Sequence, residues 1–206
     1  MAENDASMRK RRSTLAVKSG GIAVILAMLL TSCSSSTSTT DNESQGYISN
    51  DGTVAEWAPD QRGEPIDFAG TIENGDTVTS DDYTGQVLVV NFWYASCPPC
   101  RAEAPDLQAL NAQYADEGVS FLGINVRDEA DTAIAFSRTF DITYPSIIDT
   151  RGRTSLAFAG KFAANAVPTT LVLDKTGRPA ARILGQLASR SILDTLIAET
   201  LAEEVP

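Results

Sequence analysis

The sequence contains no histidine among its 206 residues, and it has only three cysteines. Histidine is a common general base and metal ligand, so either role must fall to other side chains or be absent. Basic residues are also scarce, since 16 Lys and Arg stand against 27 Asp and Glu, for a net charge of -11. A phosphate-binding surface needs clustered Lys and Arg, so this balance argues against a nucleic-acid-binding protein.

Long apolar runs are also missing, and the run near the N-terminus is short. It covers residues 20–30 and follows a basic cluster at 9–12, whereas a membrane-spanning helix needs roughly 20 apolar residues. A basic start followed by a short apolar run is typical of a secretory signal peptide. The run ends in "LTSC", residues 30–33, which resembles a bacterial lipobox, a signal in which the cysteine is lipidated and becomes the new N-terminus. We predict a lipoprotein signal peptide over residues 1–32 and a lipid anchor at Cys33, with a free thiol or a disulfide partner as the alternatives for Cys33.

A polar, low-complexity segment follows this cysteine. "SSSTSTTDNESQG", residues 34–46, has no aliphatic or aromatic side chain to bury, and such a segment cannot offset its own ordering entropy. We therefore predict a flexible Ser/Thr-rich tether over residues 33–60 and one folded domain over 61–206, large enough for a single core. The predicted location is the extracytoplasmic face of the cell membrane, where the lipid would hold the protein.

The apolar patterns of the folded part predict an α/β domain. Two nearly continuous runs of β-forming residues indicate buried strands at 87–93 and 119–126. Helices are predicted at 98–114, 129–142, 154–162 and after Ser189, and hairpins at Asn74–Gly75 and Lys175–Gly177. A strand–helix–strand crossover followed by a hairpin and a closing helix predicts a central mixed β-sheet flanked by helices on both faces, with an N-terminal β-hairpin extension.

Two cysteines lie together in "NFWYASCPPC", residues 91–100. A structural disulfide here would close a loop of about four residues and stabilise little in the chain-entropy model. A zinc site would need about four ligands. The chain has no histidine, and its only other cysteine is Cys33, the presumed lipid anchor. A redox pair fits better, because the strand ends at Trp93 and a helix begins near Pro98.

The position of the first thiol has a chemical consequence. The unpaired N–H groups and the positive dipole end of a helix stabilise a thiolate, so we expect a lowered pKa and a nucleophilic role for Cys97. Cys100 lies one turn further on, is expected to be less exposed, and would resolve the mixed disulfide. Pro98 suits the first helical position because no hydrogen bond is lost there. The predicted redox group is the Cys97–Cys100 disulfide, with no other cofactor and no metal.

These motifs resemble the thioredoxin superfamily and, more narrowly, its membrane-tethered, extracytoplasmic TlpA/ResA-like thiol–disulfide oxidoreductases. The resemblance covers roughly residues 63–204 and includes a second signature at 165–187, "NAVPTTLVLDKTGRPAARILGQL". It implies a thioredoxin-like fold and a cis bond before a proline whose loop packs against the CXXC motif. The substrate-binding residues that it implies are Trp93, Pro98, Val167, Pro168 and Thr169, with core support as the other role open to Trp93.

The resemblance also implies a third catalytic residue. ResA-like members carry a glutamate three residues after the second cysteine, which is Glu103 here. The buried aspartate of thioredoxins, on the preceding strand, is replaced by Asn91, which cannot titrate. Glu103 is therefore the candidate for proton transfer around Cys100, the alternative being a residue that merely favours the first turns of a helix. One departure is Ser96, where the superfamily commonly has a second Trp, so substrate preference stays open.

The function implied is reduction of disulfides in exported proteins such as apocytochrome c. The partners would be extracytoplasmic protein disulfides or thiols and a membrane electron-transfer thiol protein. The reverse direction, donation of disulfides to secreted proteins, uses the same atoms and differs only in reduction potential. A peroxiredoxin-like thiol peroxidase is less favoured, because those enzymes need Thr and Pro shortly before the reactive cysteine. A copper-delivery protein would need CXXXC and His, and a non-catalytic lipoprotein is the remaining alternative.

Overall fold

The computed structural model describes residues 47–159 and 166–204. In chain order, the helices and strands are β1 (Val54–Glu56), β2 (Ala69–Thr71), β3 (Thr77–Thr79), a 3-10 helix (Ser80–Tyr83), β4 (Val87–Trp93), α1 (Pro98–Gln113), β5 (Val119–Asn125), α2 (Ala130–Thr139), β6 (Ser146–Ile148), α3 (Arg153–Ala157), β7 (Thr169–Leu173), β8 (Pro179–Leu184) and α4 (Arg190–Ala202). Six strands form one sheet in the order β1-β8-β7-β4-β5-β6, and β2 and β3 form a separate hairpin.

Strand β4 lies inside the sheet, parallel to β5 and antiparallel to β7. All of its residues are buried, as its continuous apolar run predicts for a strand covered on both faces. Val87 and Val89 belong to one core cluster, with leucines of α1 and α4, while Leu88 and Val90 belong to a second. This alternation follows from the two-residue period of a strand. The predicted mixed sheet is confirmed.

The predicted turns and caps lie where the sequence places them. The β2–β3 hairpin turns at Gly75 and the β7–β8 hairpin at Gly177, with φ of 95° and 82°, values that favour glycine. Helix α4 follows Ser189, whose hydroxyl accepts a hydrogen bond from the Ser191 N–H at 3.2 Å. Such a cap satisfies one of the free N–H groups of the first turn.

The predicted boundary between tether and domain is too late in the chain. Strand β1 lies within the predicted tether, yet it pairs antiparallel with β8 at the edge of the sheet, and the Trp57 N–H donates to the Ala180 carbonyl at 2.8 Å. Only Ala55 of the three strand residues is buried, so the segment shows no alternation long enough to predict a strand.

Two further helix predictions were too long at their C-terminal ends. Helix α2 ends at Thr139 because Asp141 follows with a positive φ of 55°. Helix α3 ends at Ala157.

The signal peptide, the first part of the tether and Cys33 lie outside the described residues. Within the described ranges, none of the helices has the length and apolarity needed to cross a membrane.

Candidate redox site

The two cysteines of the CPPC motif form a disulfide at the junction of β4 and α1. Their sulfurs are 2.09 Å apart and their Cα atoms 5.3 Å apart, within the usual disulfide range. A tight turn separates the strand from the helix, since the Cys97 N–H donates to the Tyr94 carbonyl at 3.2 Å. The predicted placement, at the end of a buried strand and the start of a helix, is confirmed.

Cys97 occupies the N-cap position of α1. Its Sγ accepts a hydrogen bond from the Cys100 N–H at 3.2 Å. Pro98 and Pro99 occupy the first two helical positions, where the missing N–H groups have no intrahelical partner to lose. In the reduced protein the same N–H and the helix dipole would stabilise a thiolate at Cys97.

Both cysteines are buried in this disulfide state. Cys97 is 1% exposed and Cys100 3%, so the expected difference in exposure between them is wrong for the closed disulfide. The cause is a small cluster around the pair, built from Trp93, Ala104, Ala133 and Phe136, with half-buried Tyr94, Ala95, Phe140 and Val167 against it. A partner molecule would therefore first meet the half-buried members of this cluster.

The second predicted signature lies beside the disulfide. The Val167–Pro168 peptide is cis, as the resemblance implied, and Val167 packs against the cysteine cluster. Its loop is tied to the end of β8, because the Gly185 N–H donates to the Pro168 carbonyl at 2.9 Å. Pro168 and Thr169 are both buried, and the Thr169 hydroxyl donates to the Ala166 carbonyl. Val167 is thus the member of this trio with exposed surface beside the disulfide.

Trp93 lies under the disulfide and not on the surface. It is 4% exposed, its indole N–H donates to Ser146 Oγ at 3.3 Å, and its ring centroid lies 4.3 Å from that of Phe136. Gly123 makes room for it, because a Cβ there would lie 2.7 Å from Trp93 Nε1 and would also clash with Ser146 Oγ. Of its two predicted roles, this geometry favours core support. Pro98, by contrast, is exposed beside Cys97.

Glu103 lies on the same helix, one turn after Cys100, and it is 1% exposed. Its two carboxylate oxygens accept hydrogen bonds from Asn91 Nδ2 at 2.9 Å and from the Leu187 N–H at 3.1 Å. Burial raises the pKa of Glu103 to about 7, although both hydrogen bonds act to lower it. A buried carboxyl with a pKa near neutrality can take up and release a proton at physiological pH.

Asn91 connects three elements around this carboxyl. Its amide nitrogen, in β4, donates to Glu103 of α1 and also to Thr170 Oγ1 of β7 at 3.1 Å. The position that carries the buried aspartate in thioredoxins therefore holds the side chain that orients Glu103. Sequence reasoning named Asn91 and Glu103 but missed Thr170 and Leu187. Leu187 could not be found from its side chain, because its backbone N–H makes the contact.

Sequence reasoning also missed Asp128, in the connection between β5 and α2. Its Oδ2 accepts hydrogen bonds from the Ala95 N–H at 2.6 Å and from Asn125 Nδ2 at 2.9 Å. Asn125 Oδ1 in turn accepts from the backbone N–H groups of Arg127 and Asp128 at 3.0 and 2.7 Å. Asp128 therefore fastens the turn before Cys97 to the neighbouring strand. The one available signal is "NVRD", residues 125–128, since Asn commonly bonds the backbone two or three residues on.

The sequence and the fold are similar to those of known redox proteins. Residues 62–179 match the AhpC/TSA family. A thiol–disulfide oxidoreductase ResA from Geobacillus kaustophilus (strain HTA426) is 30% identical over 126 residues, which cover 61% of this chain and 70% of that protein. A secreted thiol–disulfide isomerase from Corynebacterium glutamicum superposes with a TM-score of 0.68 at 33% identity, over 77% of this chain and 98% of its own. A DsbF homologue from Corynebacterium diphtheriae gives a TM-score of 0.65 at 33% identity, over 75% and 98%.

Proposed function

This chain belongs to the AhpC/TSA family and is a thiol–disulfide oxidoreductase, and we propose that it works as a membrane-tethered reductase of disulfides in exported proteins such as apocytochrome c. The observation that carries the proposal is the Cys97–Cys100 disulfide at the N-terminus of α1, with a buried carboxyl one turn behind it. The ResA named above, a thiol–disulfide oxidoreductase, is 30% identical, which supports thiol–disulfide exchange. The reductive direction is the one that the family resemblance implies.

The reaction begins with the reduced protein. The Cys97 thiolate attacks one sulfur of a partner disulfide, which breaks the partner's S–S bond, forms a mixed disulfide and releases the other partner sulfur as a thiolate. The Cys100 thiolate then attacks Cys97 Sγ and releases the second partner sulfur. Two electrons pass to the partner, whose two sulfurs take up two protons, and the Cys97–Cys100 disulfide is formed.

Glu103 serves the second step. Before Cys100 can attack, its thiol must lose a proton, and the Glu103 carboxylate is the acceptor that we propose. Three observations support this role: its place on the same helix three residues on, its burial, and its pKa of about 7. The proton then passes to a released partner thiolate, which leaves Glu103 ready for the next cycle.

The two sulfurs carry the electrons in this proposal, and no further cofactor is needed. A thiol protein of the membrane would re-reduce the disulfide by the same exchange chemistry.

A lipid on Cys33 would hold the domain at the extracytoplasmic face, consistent with the secreted location stated for the C. glutamicum relative. If so, growth of the host with a labelled fatty acid should label the unsubstituted protein and leave a Cys33→Ser variant unlabelled. An unlabelled unsubstituted protein, or equal labelling of the two, would overturn the anchoring.

A second candidate is donation of disulfides to secreted proteins. The two solved structures at 33% identity are described as an isomerase and as a DsbF homologue, and the same two sulfurs serve both directions. Equilibration with a glutathione series decides between them. A potential near or below that of thioredoxin, about -270 mV, favours a reductase, whereas one above that of protein disulfide isomerase, about -180 mV, favours an oxidase.

The function itself is tested with the reduced protein and a peptide that carries an oxidised CXXC pair. In a Cys33→Ser background, Cys97→Ser should abolish peptide reduction, and Cys100→Ser should accumulate a mixed disulfide on Cys97 that is visible by mass spectrometry. Retained reduction in the Cys97→Ser variant would contradict the mechanism. Turnover of hydrogen peroxide in place of the peptide would favour the peroxidase alternative.

A further inference from the structure

Two exposed arginines contact the turn that precedes Cys97. The Arg127 guanidinium lies over the Tyr94 ring, 3.9 Å from its centroid, and the Arg101 guanidinium lies 5.0 Å from the centroid of Phe140. Arg101 Nη1 also donates to the Ala95 carbonyl at 3.4 Å. Both rings pack against the cluster that holds the disulfide, so the two cations border the surface that a partner must approach.

Neither arginine is neutralised by an ion pair among residues 47–159 and 166–204. The ion pairs of that part of the chain instead join Arg62 to Asp174 and Glu203, and Arg178 to Asp174. None of these residues belongs to the cysteine cluster. The Asp128 carboxylate contacts the turn, and its Oδ2 already accepts two hydrogen bonds. The charges of Arg101 and Arg127 are thus available to a ligand.

The geometry also prepares both groups for binding. A guanidinium is planar and always charged, and it can present parallel N–H groups to both oxygens of a carboxylate. Contact with an aromatic face restricts the side chain before the partner arrives, which reduces the entropy that binding must remove. An arginine held in this way therefore selects a carboxylate better than a freely moving lysine would.

We infer that Arg101 and Arg127 form a carboxylate-binding rim around the disulfide, and that the protein prefers polypeptide partners whose cysteines are flanked by Asp or Glu. The inference rests on the proposed thiol–disulfide exchange and adds the class of substrate. The chain as a whole is acidic, with a net charge of -11, and would repel such a partner at long range. That repulsion is screened beyond about 8 Å at physiological ionic strength, so the contacts at the rim decide the preference.

The test compares two peptides that share one oxidised CXXC pair and differ only in four flanking residues, which are Glu in one peptide and Lys in the other. The reduced full-length protein in the Cys33→Ser background is mixed with each, and each rate is divided by the rate of the same peptide with dithiothreitol. We expect a normalised preference for the Glu peptide of roughly five- to tenfold, since one exposed ion pair contributes only a few-fold. The preference should fall in about 1 M salt, where the Debye length is about 3 Å.

The decisive variant is the double charge reversal Arg101→Glu with Arg127→Glu, which should invert the preference. Its matched control is the double charge reversal Arg151→Glu with Arg153→Glu, at two exposed positions at and just before the start of α3, which changes the net charge equally and should leave the preference unchanged. Arg127→Met keeps an apolar contact with Tyr94 and provides a milder variant should the double reversal fail to fold. It should lose part of the preference without inverting it.

Equal normalised rates for the two peptides in the unsubstituted protein would overturn the inference. So would a preference that the double rim reversal and the double reversal of Arg151 and Arg153 change to the same extent, because net charge alone would then explain it. A neutral probe, hydroxyethyl disulfide, separates this failure from failure of the exchange reaction. If the protein reduces hydroxyethyl disulfide but does not distinguish the Glu peptide from the Lys peptide, only the rim is refuted. If it reduces none of the three disulfides, the proposed function is refuted.

Discussion

Glu103 is a carboxyl that the fold buries between two neutral donors, the Asn91 amide and the Leu187 N–H. Its ordinary pKa of 4.5 rises to about 7 in the folded protein. Between these pH values the folded state holds a proton that the unfolded state has released, so stability falls as pH rises through this window. The destabilisation is absent below the unfolded pKa and complete above the folded one, and it amounts to about 3 kcal/mol.

A Glu103→Gln variant should therefore lose this part of the pH dependence. Urea unfolding of the disulfide form, in which neither Cys97 nor Cys100 titrates, is measured from pH 4.5 to 8 for both proteins. The difference in unfolding free energy between them should shift in favour of the variant by up to about 3 kcal/mol across that range. The variant has only one carbonyl oxygen for two donors, but that cost does not depend on pH. Parallel pH profiles for the two proteins would contradict the buried, titrating carboxyl.

The Cys97 thiol gives a second prediction for a single residue. Its place at the N-terminus of α1, with the Cys100 N–H directed at its sulfur, should lower its pKa below that of free cysteine, about 8.5. Alkylation by iodoacetamide is followed against pH in a reduced protein with Cys33→Ser and Cys100→Ser, so that one thiol remains. The midpoint of the rate profile should lie below 8.5. A midpoint equal to that of a cysteine peptide would contradict the prediction that the N-terminus of α1 lowers the pKa of Cys97.

Among the elements, the connection between β5 and α2 controls the turn that carries the nucleophile. Asp128→Ala would leave the Ala95 N–H and the Asn125 amide without their shared acceptor. We expect a loss of about 1 to 3 kcal/mol in unfolding free energy, together with lower protection of the Ala95 N–H against hydrogen exchange. Asp128→Asn retains one acceptor oxygen and should restore most of both. Equal effects of the two substitutions would assign the stability to charge and not to the hydrogen bonds.

The elements also show which features a sequence can and cannot predict. Strand β4 and the start of α1 were predictable because a continuous apolar run and a proline after a cap residue are local patterns. Strand β1 was missed, because three residues with one buried side chain have no period of their own and depend on β8. The Asp128–Ala95 and Glu103–Leu187 contacts were missed for a related reason. Each joins a side chain to a distant backbone N–H. Because every residue other than proline has a backbone N–H, the sequence of neither segment indicates such a contact.

At the scale of the whole molecule, one buried arginine joins segments that are far apart in the chain. Arg62 lies between β1 and β2, and its side chain is 3% exposed. It donates to Asp174 at the β7–β8 turn at 2.9 Å, and to both oxygens of Glu203, at the end of α4, at 2.6 Å. Its Nε donates to the Trp57 carbonyl at 3.1 Å. Hydrogen bonds and ion pairs of Arg62 thereby link the segment between β1 and β2 to the β7–β8 hairpin and to the end of α4.

Arg62→Met should therefore destabilise the entire domain without altering its chemistry. The methionine fills part of the space but leaves the buried Asp174 carboxylate without one cation, and breaking a buried pair from one side costs about 3 to 5 kcal/mol. Arg178 and Thr176 still contact Asp174, so we expect the lower end of that range in urea unfolding. Arg153→Met, at an exposed site, should change stability by less than about 0.5 kcal/mol. Within residues 47–159 and 166–204, no hydrogen bond or ion pair of Arg62 involves the cysteine cluster. Below the unfolding transition, the rate of peptide reduction per folded molecule should therefore match that of the unsubstituted protein. A lower rate under those conditions would mean that the Arg62 network also positions the disulfide.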